Sequence, residues 1–171
     1  IVKNTIEVFT SDKKMLLCGN GGSAADAQHI ASELSGKFYF NDRLPLNAEA
    51  LHVNSSYLTA VANDFGYNQV FARLVEAKGK KGDILIGIST SGNSTNVINA
   101  IKKASELGMI TVGFTGQNGG MIKNICDHII NVPSNDTARI QEAHILIGHI
   151  ICELIDSEFH HLRTKNGDIK N

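Results

Sequence analysis

The chain has 171 residues, 42% of them hydrophobic, with 16 Lys plus Arg against 17 Asp plus Glu and a formal net charge of −1. This length accommodates one domain with a sizeable core and is short for two. The balanced charge excludes a surface built to track nucleic acid or an anionic membrane, leaving small molecules or further copies of the chain as expected partners. Cys18, Cys126 and Cys152 are odd in number and unclustered, which argues against a disulfide framework and for a reducing compartment, the cytoplasm.

In chain order, apolar Ile1, Val2, Ile6 and Phe9 read as the closing turns of a helix, so residues 1–12 are expected to be the remnant of a longer N-terminal one. Met15 to Cys18 is a short apolar run that predicts a strand; Gly19-Asn20-Gly21-Gly22-Ser23 then turns the chain into a helix from about Ala24 to Leu34. Residues 36–47 hold a Tyr, two Phe and a proline among charged residues and predict an irregular or short strand-like connection. Ala48 to Val53 reads as the second strand. Helices follow over Ser55 to about Val61 and Tyr67 to Ala77, separated by the polar break Ala62-Asn63-Asp64-Phe65-Gly66.

Asp83 to Ile88 is nearly continuously apolar, the pattern of a parallel strand covered on both faces. After Ser89-Thr90-Ser91-Gly92-Asn93-Ser94, apolar residues recur at helical spacing through Val97, Ile98, Ile101, Ala104 and Leu107. Ile110 to Thr115 predicts a strand, Gly119 to Ile125 a short helix and His128 to Val132 the last strand. The final helix is expected from near Thr137, capped by Asn135 or Asp136, to about Leu162, with a frayed tail over 163–171. Its apolar residues do not fit one stripe, which suggests burial against another subunit. The alternation predicts a three-layer α/β/α sandwich with five parallel strands.

The loop Ser89 to Ser94 carries four hydroxyls in six residues just ahead of a helix N-terminus, where free N–H groups and the helix dipole attract anions. A phosphate cradle is the reading, although Ser and Thr also serve as ordinary caps. The spacing and lysine of a nucleotide P-loop are absent. Gly19 to Ala24 fits a dinucleotide fingerprint, but no acid closes the Ala48 to Val53 strand and Asp42 lies in irregular chain, so no nucleotide cofactor is expected.

His29 and Glu33 are four apart on one helix face, either a surface pair or an acid/base pair. Gln141 and His149 are eight apart, roughly 80° around their helix axis. His144 cannot share their face equally well. A base and an acid on separate helices beside a phosphate cradle would suit proton transfer on a sugar phosphate. Cys18 ends a strand before a loop and reads as a small buried hydrophobe; His52, His128, His160 and His161 read as structural.

CGNGGSAADAQHIASELSG, NDFG, GISTSGNSTNVI and DTARIQEAHILIGHIICELI, in this order, resemble the phosphoheptose isomerase family of the SIS (sugar isomerase) fold over about Met15 to Phe159. The family pattern has a long N-terminal helix most of which is missing here. The resemblance implies aldose–ketose isomerisation of sedoheptulose 7-phosphate to D-glycero-D-manno-heptose 7-phosphate, early in heptose supply for lipopolysaccharide or capsule. It implies Glu33 as base and His149 as acid/base partner. Ser89, Thr90, Ser91 and Ser94 would hold phosphate, and Asn20, Gly21, Gly22, Asn63, Asp64 and Gln141 would complete the sugar site. It further implies a homotetramer with sites between subunits and, in some members, zinc at the positions of His29, Glu33, Gln141 and His149. The same fold also serves non-catalytic regulators of replication initiation or sugar-phosphate sensing. Glu33 and His149 favour the enzyme.

Overall fold

The structure, a computed structural model, describes residues 1–165. Helix α1 (Val2–Thr10) leads into β1 (Met15–Gly19), α2 (Gly22–Ser35), β2 (Ala48–Ala50), α3 (Ser55–Phe65) and, after a 3-10 turn over Tyr67–Gln69, α4 (Val70–Lys78). Then come β3 (Ile84–Ile88), α5 (Thr95–Glu106), β4 (Ile110–Thr115), a 3-10 turn at Ile122–Asn124, β5 (His128–Asn131) and α6 (Thr137–Lys165). The five strands form one parallel sheet in the order β2-β1-β3-β4-β5. The expected α/β/α sandwich is present, and among the described residues no helix is long and apolar enough to cross a membrane.

Strand period two explains the two cores. On β1, Met15 and Leu17 face the layer of α1, α2 and α6, whereas Leu16 and Cys18 face the layer of α3, α4 and α5. On β3, Ile84, Ile86 and Ile88 join the first core and Leu85 the second. Both central strands are buried at every position, which is why their sequence reads as a continuous apolar run without alternation.

Several expected boundaries move. The second strand ends at Ala50 instead of Val53, since it pairs with β1 only from Met15 to Leu17. The polar segment after Val61 does not break the helix; α3 continues to Phe65, and Gly66, at φ 83°, stops it. The next helix therefore begins at Val70, after a 3-10 turn. The short helix expected over 119–125 is one 3-10 turn. At α6 the cap is Asp136, whose Oδ1 accepts the Ala138 N–H at 2.9 Å. Residues 163–165 remain helical, and the rest of the expected frayed tail lies outside the described residues. The apolar residues of α6 divide: Ile140, Ile151, Cys152 and Ile155 are buried in this chain, while Leu146, Ile150 and Leu154 are exposed.

Residues 36–47 form an irregular strap. Arg43 fastens it from a buried position, pairing through Nε with Asp156 of α6. Its remaining N–H groups reach the carbonyls of Glu33 (2.9 Å), Leu34 (2.9 Å), Gly36 (3.3 Å) and Leu44 (2.7 Å), which caps the end of α2. Asp156 Oδ2 accepts the backbone N–H of Tyr39 and Phe40. A fully buried ion pair is tolerated here because every guanidinium N–H and both carboxylate oxygens have partners.

Candidate active site

β1 and β3 lie side by side, with Gly19 opposite Ile88, so the two polar loops that follow them emerge together at the carboxyl edge of the sheet. The chain leaves β1 for β2 in one direction and β3 for β4 in the other, which opens a crevice between these strands.

In the second loop Ser94 occupies the N-cap of α5 without capping it. Its Oγ instead lies 2.9 Å from Ser89 Oγ, and Ser91 Oγ stands 3.4 Å from Ser89. The first turn of α5 contains no acidic residue and its last turn carries Lys103. The positive end of the helix dipole is therefore uncompensated beside a cluster of hydroxyls, an arrangement suited to an anion. Adjoining it is a cavity of about 300 Å³ lined by Thr90, Ser91, Asn93, Gln117, Ser134 and Thr137, among others. Among the described residues its lining is hydroxyls, amides and Ile140, with no titratable side chain, so it offers binding groups and no base.

The acid/base groups stand elsewhere. On α2, His29 Nε2 is 3.2 Å from Glu33 Oε1. From α6, His149 Nε2 approaches His29 Nε2 to 3.3 Å, with the rings edge to face at 4.8 Å between centroids. The ligating atoms of His29, Glu33 and His149 all lie within 4.8 Å of one another. Two nitrogens and a carboxylate oxygen suit zinc, and bonds of about 2.0–2.1 Å in a tetrahedron give ligand separations of roughly 3.3 Å, matching the two short edges of this trio. The three residues thus fit a metal ion. Gln141 sits a little over two turns before His149, packed against Gly22 so closely that a Cβ there would lie 2.5 Å from its Nε2. A similar closeness recurs where Gly148 meets Ile30, 2.6 Å from any added Cβ.

His144 turns the other way: it is buried, its Nε2 3.1 Å from the carbonyl of Thr115 and its ring against Phe114. Cys18 is fully buried and burial pushes its thiol well up, as it does those of Cys126 and Cys152, to about 12. None is a thiolate nucleophile near neutrality. Glu49, the acid within β2, is engaged by Lys78 Nζ at 2.5 Å, and the dinucleotide reading has no support there.

Of the expected sugar contacts, Gly21 and Gly22 are exposed at the start of α2. The side chain of Asn20 is committed to Asn96, with Oδ1 accepting from Asn96 Nδ2 at 2.8 Å and Nδ2 donating to Asn96 Oδ1 at 2.9 Å. Asn63 and Asp64 are exposed and bonded to each other at 2.9 Å. Tyr67, shortly after them, donates its hydroxyl to Asn20 Oδ1 at 3.0 Å.

Five residues escape sequence reasoning: Asn96, Tyr67, Arg43, Phe38 and Asp26. The Phe38 ring, on the strap, lies 5.8 Å from that of His149. Asp26, one turn before His29, has a carboxyl raised by burial, offset in part by His29. Its position three residues before His29 on the same helical face was the one available signal.

The SIS domain family pattern matches residues 1–116 of the chain. A phosphoheptose isomerase of Clostridium acetobutylicum is 57% identical over 158 residues, covering 92% of this chain and 80% of that protein. The structure of a phosphoheptose isomerase from Neisseria gonorrhoeae superposes with a TM-score of 0.86 at 48% identity, covering 91% of this chain and 83% of that one. Another, from Francisella tularensis, gives 0.88 at 40% identity over the same shares. The chain belongs to the phosphoheptose isomerase family of SIS-domain proteins.

Proposed function

We propose that the chain, acting as one SIS domain over residues 1–171, is an aldose–ketose isomerase converting sedoheptulose 7-phosphate to D-glycero-D-manno-heptose 7-phosphate. The observation that carries this reading is the meeting of Glu33 and His149, from two helices, in a chain whose α5 also starts, uncompensated, at a hydroxyl cluster. Ser89, Thr90, Ser91 and Ser94 bind the phosphate. Asn20, Gly21, Gly22, Asn63, Asp64 and Gln141 complete the sugar site.

Glu33 takes a proton from C1 of the ketose while His149 protonates the carbonyl oxygen on C2, giving the enediol. His149 then withdraws the proton from the C1 hydroxyl and Glu33 returns its proton to C2, leaving the aldehyde at C1. Phosphate binding far from the reacting carbons supplies orientation. His29, Glu33, Gln141 and His149 would hold zinc, although a Gln amide is a weak ligand for it. Zinc held there would polarise the substrate carbonyl and stabilise negative charge developing on its oxygen, and would also occupy Glu33, the base.

The exposed apolar residues Leu146, Ile150 and Leu154 on α6 support assembly, and we place the active unit as a homotetramer with sites between subunits. The product serves heptose supply for lipopolysaccharide or capsule. Incubation with sedoheptulose 7-phosphate and direct detection of the aldose by NMR tests the reading; absence of product with the folded chain overturns it.

A further inference from the structure

We propose that Asn96 is a positioning residue for this isomerisation, acting through Asn20 to fix the loop after β1 against the loop after β3. The inference rests on the isomerase reading above.

Asn96 is only 3% exposed, in the first turn of α5. Its Oδ1 accepts the Val97 backbone N–H at 3.0 Å, and since that N–H requires an oxygen, the amide has one orientation. Nδ2 must then face Asn20, whose Oδ1 accepts it at 2.8 Å, and Asn20 Nδ2 returns a bond to Asn96 Oδ1 at 2.9 Å. The Tyr67 hydroxyl adds a third bond to Asn20 Oδ1. Among the described residues, the reciprocal pair supplies the only side-chain hydrogen bonds between the loop after β1 and the first turn of α5, which ends the loop after β3.

The geometry makes this tie consequential. The sheet ladder aligns β1 and β3 up to Gly19 and Ile88, and beyond these residues the chains part. α2 packs on one face of the sheet and α5 on the other. Glu33 is carried by α2, while the phosphate anchor sits at the start of α5. A sugar phosphate spanning them meets Glu33 only if the two loops keep a fixed separation, and a misplacement of about 1 Å can cost on the order of a hundredfold in rate. A buried amide held by two reciprocal bonds is a stiff spacer for that purpose. Asn20 retains one N–H for a sugar hydroxyl, so it both aims at the ligand and is itself aimed.

The test uses Asn96→Ser, Asn20→Ser and the double variant in the full chain. We expect Asn96→Ser to lower kcat on sedoheptulose 7-phosphate about tenfold or more. KM and competitive inhibition by inorganic phosphate should stay within about twofold, because the hydroxyl cradle is untouched. The double variant should lose no more than the worse single one. Three results overturn the inference: Asn96→Ser with lowered melting temperature but native kcat, additive losses in the double variant, or phosphate inhibition weakening in step with kcat. Absence of turnover in the unmodified chain overturns the isomerase reading and this inference with it. An active unmodified chain matched by Asn96→Ser overturns this inference alone.

Discussion

His149 Nε2 stands 3.3 Å from His29 Nε2, so either one ring donates to the bare nitrogen of the other or both lone pairs face a shared cation. With Glu33 Oε1 3.2 Å from the same His29 nitrogen, a shared His29 N–H and a shared cation are the two arrangements the trio supports, and zinc uptake separates them. Protein purified without added zinc and then titrated with zinc should take up about one ion per chain and gain thermal stability that rises with the logarithm of free zinc above the dissociation constant. His29→Ala should lose both effects. Elemental analysis and calorimetry read the outcome without reference to turnover; no uptake at micromolar zinc would refute the metal site.

Glu33→Gln and His149→Gln remove proton transfer and keep shape. Each is expected to lower kcat by roughly 10²- to 10⁴-fold, while substrate still binds, because the proposed phosphate anchor at the start of α5 lies on another element from both. Isothermal titration with sedoheptulose 7-phosphate measures the binding and a coupled assay the rate. Near-native turnover in either variant would remove that residue from the mechanism.

Ser91 is exposed in the loop and its Oγ accepts the Asn93 N–H at 3.1 Å. Ser91→Ala should raise KM for the sugar phosphate roughly tenfold, the cost of one hydrogen bond to a charged group, with kcat nearly unchanged. An unaltered KM and unaltered inhibition by inorganic phosphate would count against the cradle.

The buried His144 predicts a pH effect on stability. Its Nε2 bonds to the Thr115 carbonyl while Nδ1 is buried without a partner. Burial lowers its pKa from the ordinary 6.5, with the carbonyl bond opposing in part. The folded value lies below the unfolded one, so the unfolded chain binds more protons in acid. This contribution is full above the unfolded value and is lost as pH falls below it. Urea unfolding at pH ~8 and ~5.5 should show a smaller drop in His144→Gln than in the unmodified chain; equal drops would assign the acid sensitivity elsewhere, His52 being depressed by burial as well.

What was legible in the sequence was local. Continuous apolar runs marked the central strands, and the loop Ser89 to Ser94 announced a helix start because hydroxyls and glycine cluster there. His29 and Glu33 shared a helix face by spacing alone. What escaped was set by partners far along the chain. Arg43 reads as one more charge in an irregular stretch until Asp156, 113 residues away, is folded against it. Asn96 reads as helix polarity until Asn20 arrives. The helix α3 ran past its polar break with Asn63, Asp64 and Phe65 all exposed, the first two bonded to each other, until Gly66 stopped it, so polarity alone was no breaker.

Gly22 and Gly148 have a further consequence, for mutational tolerance. Each meets the end of a side chain on the opposing helix, Gln141 Nε2 at Gly22 and Ile30 Cδ1 at Gly148, with no room for a Cβ until that side chain moves. A single methyl at either glycine must displace the Gln141 amide or the Ile30 side chain, both on the helix pair that carries His29 and His149. In a library of variants, these two positions should be less tolerant than ordinary helix positions, Gly148 through packing and Gly22 also through its proposed place beside the sugar.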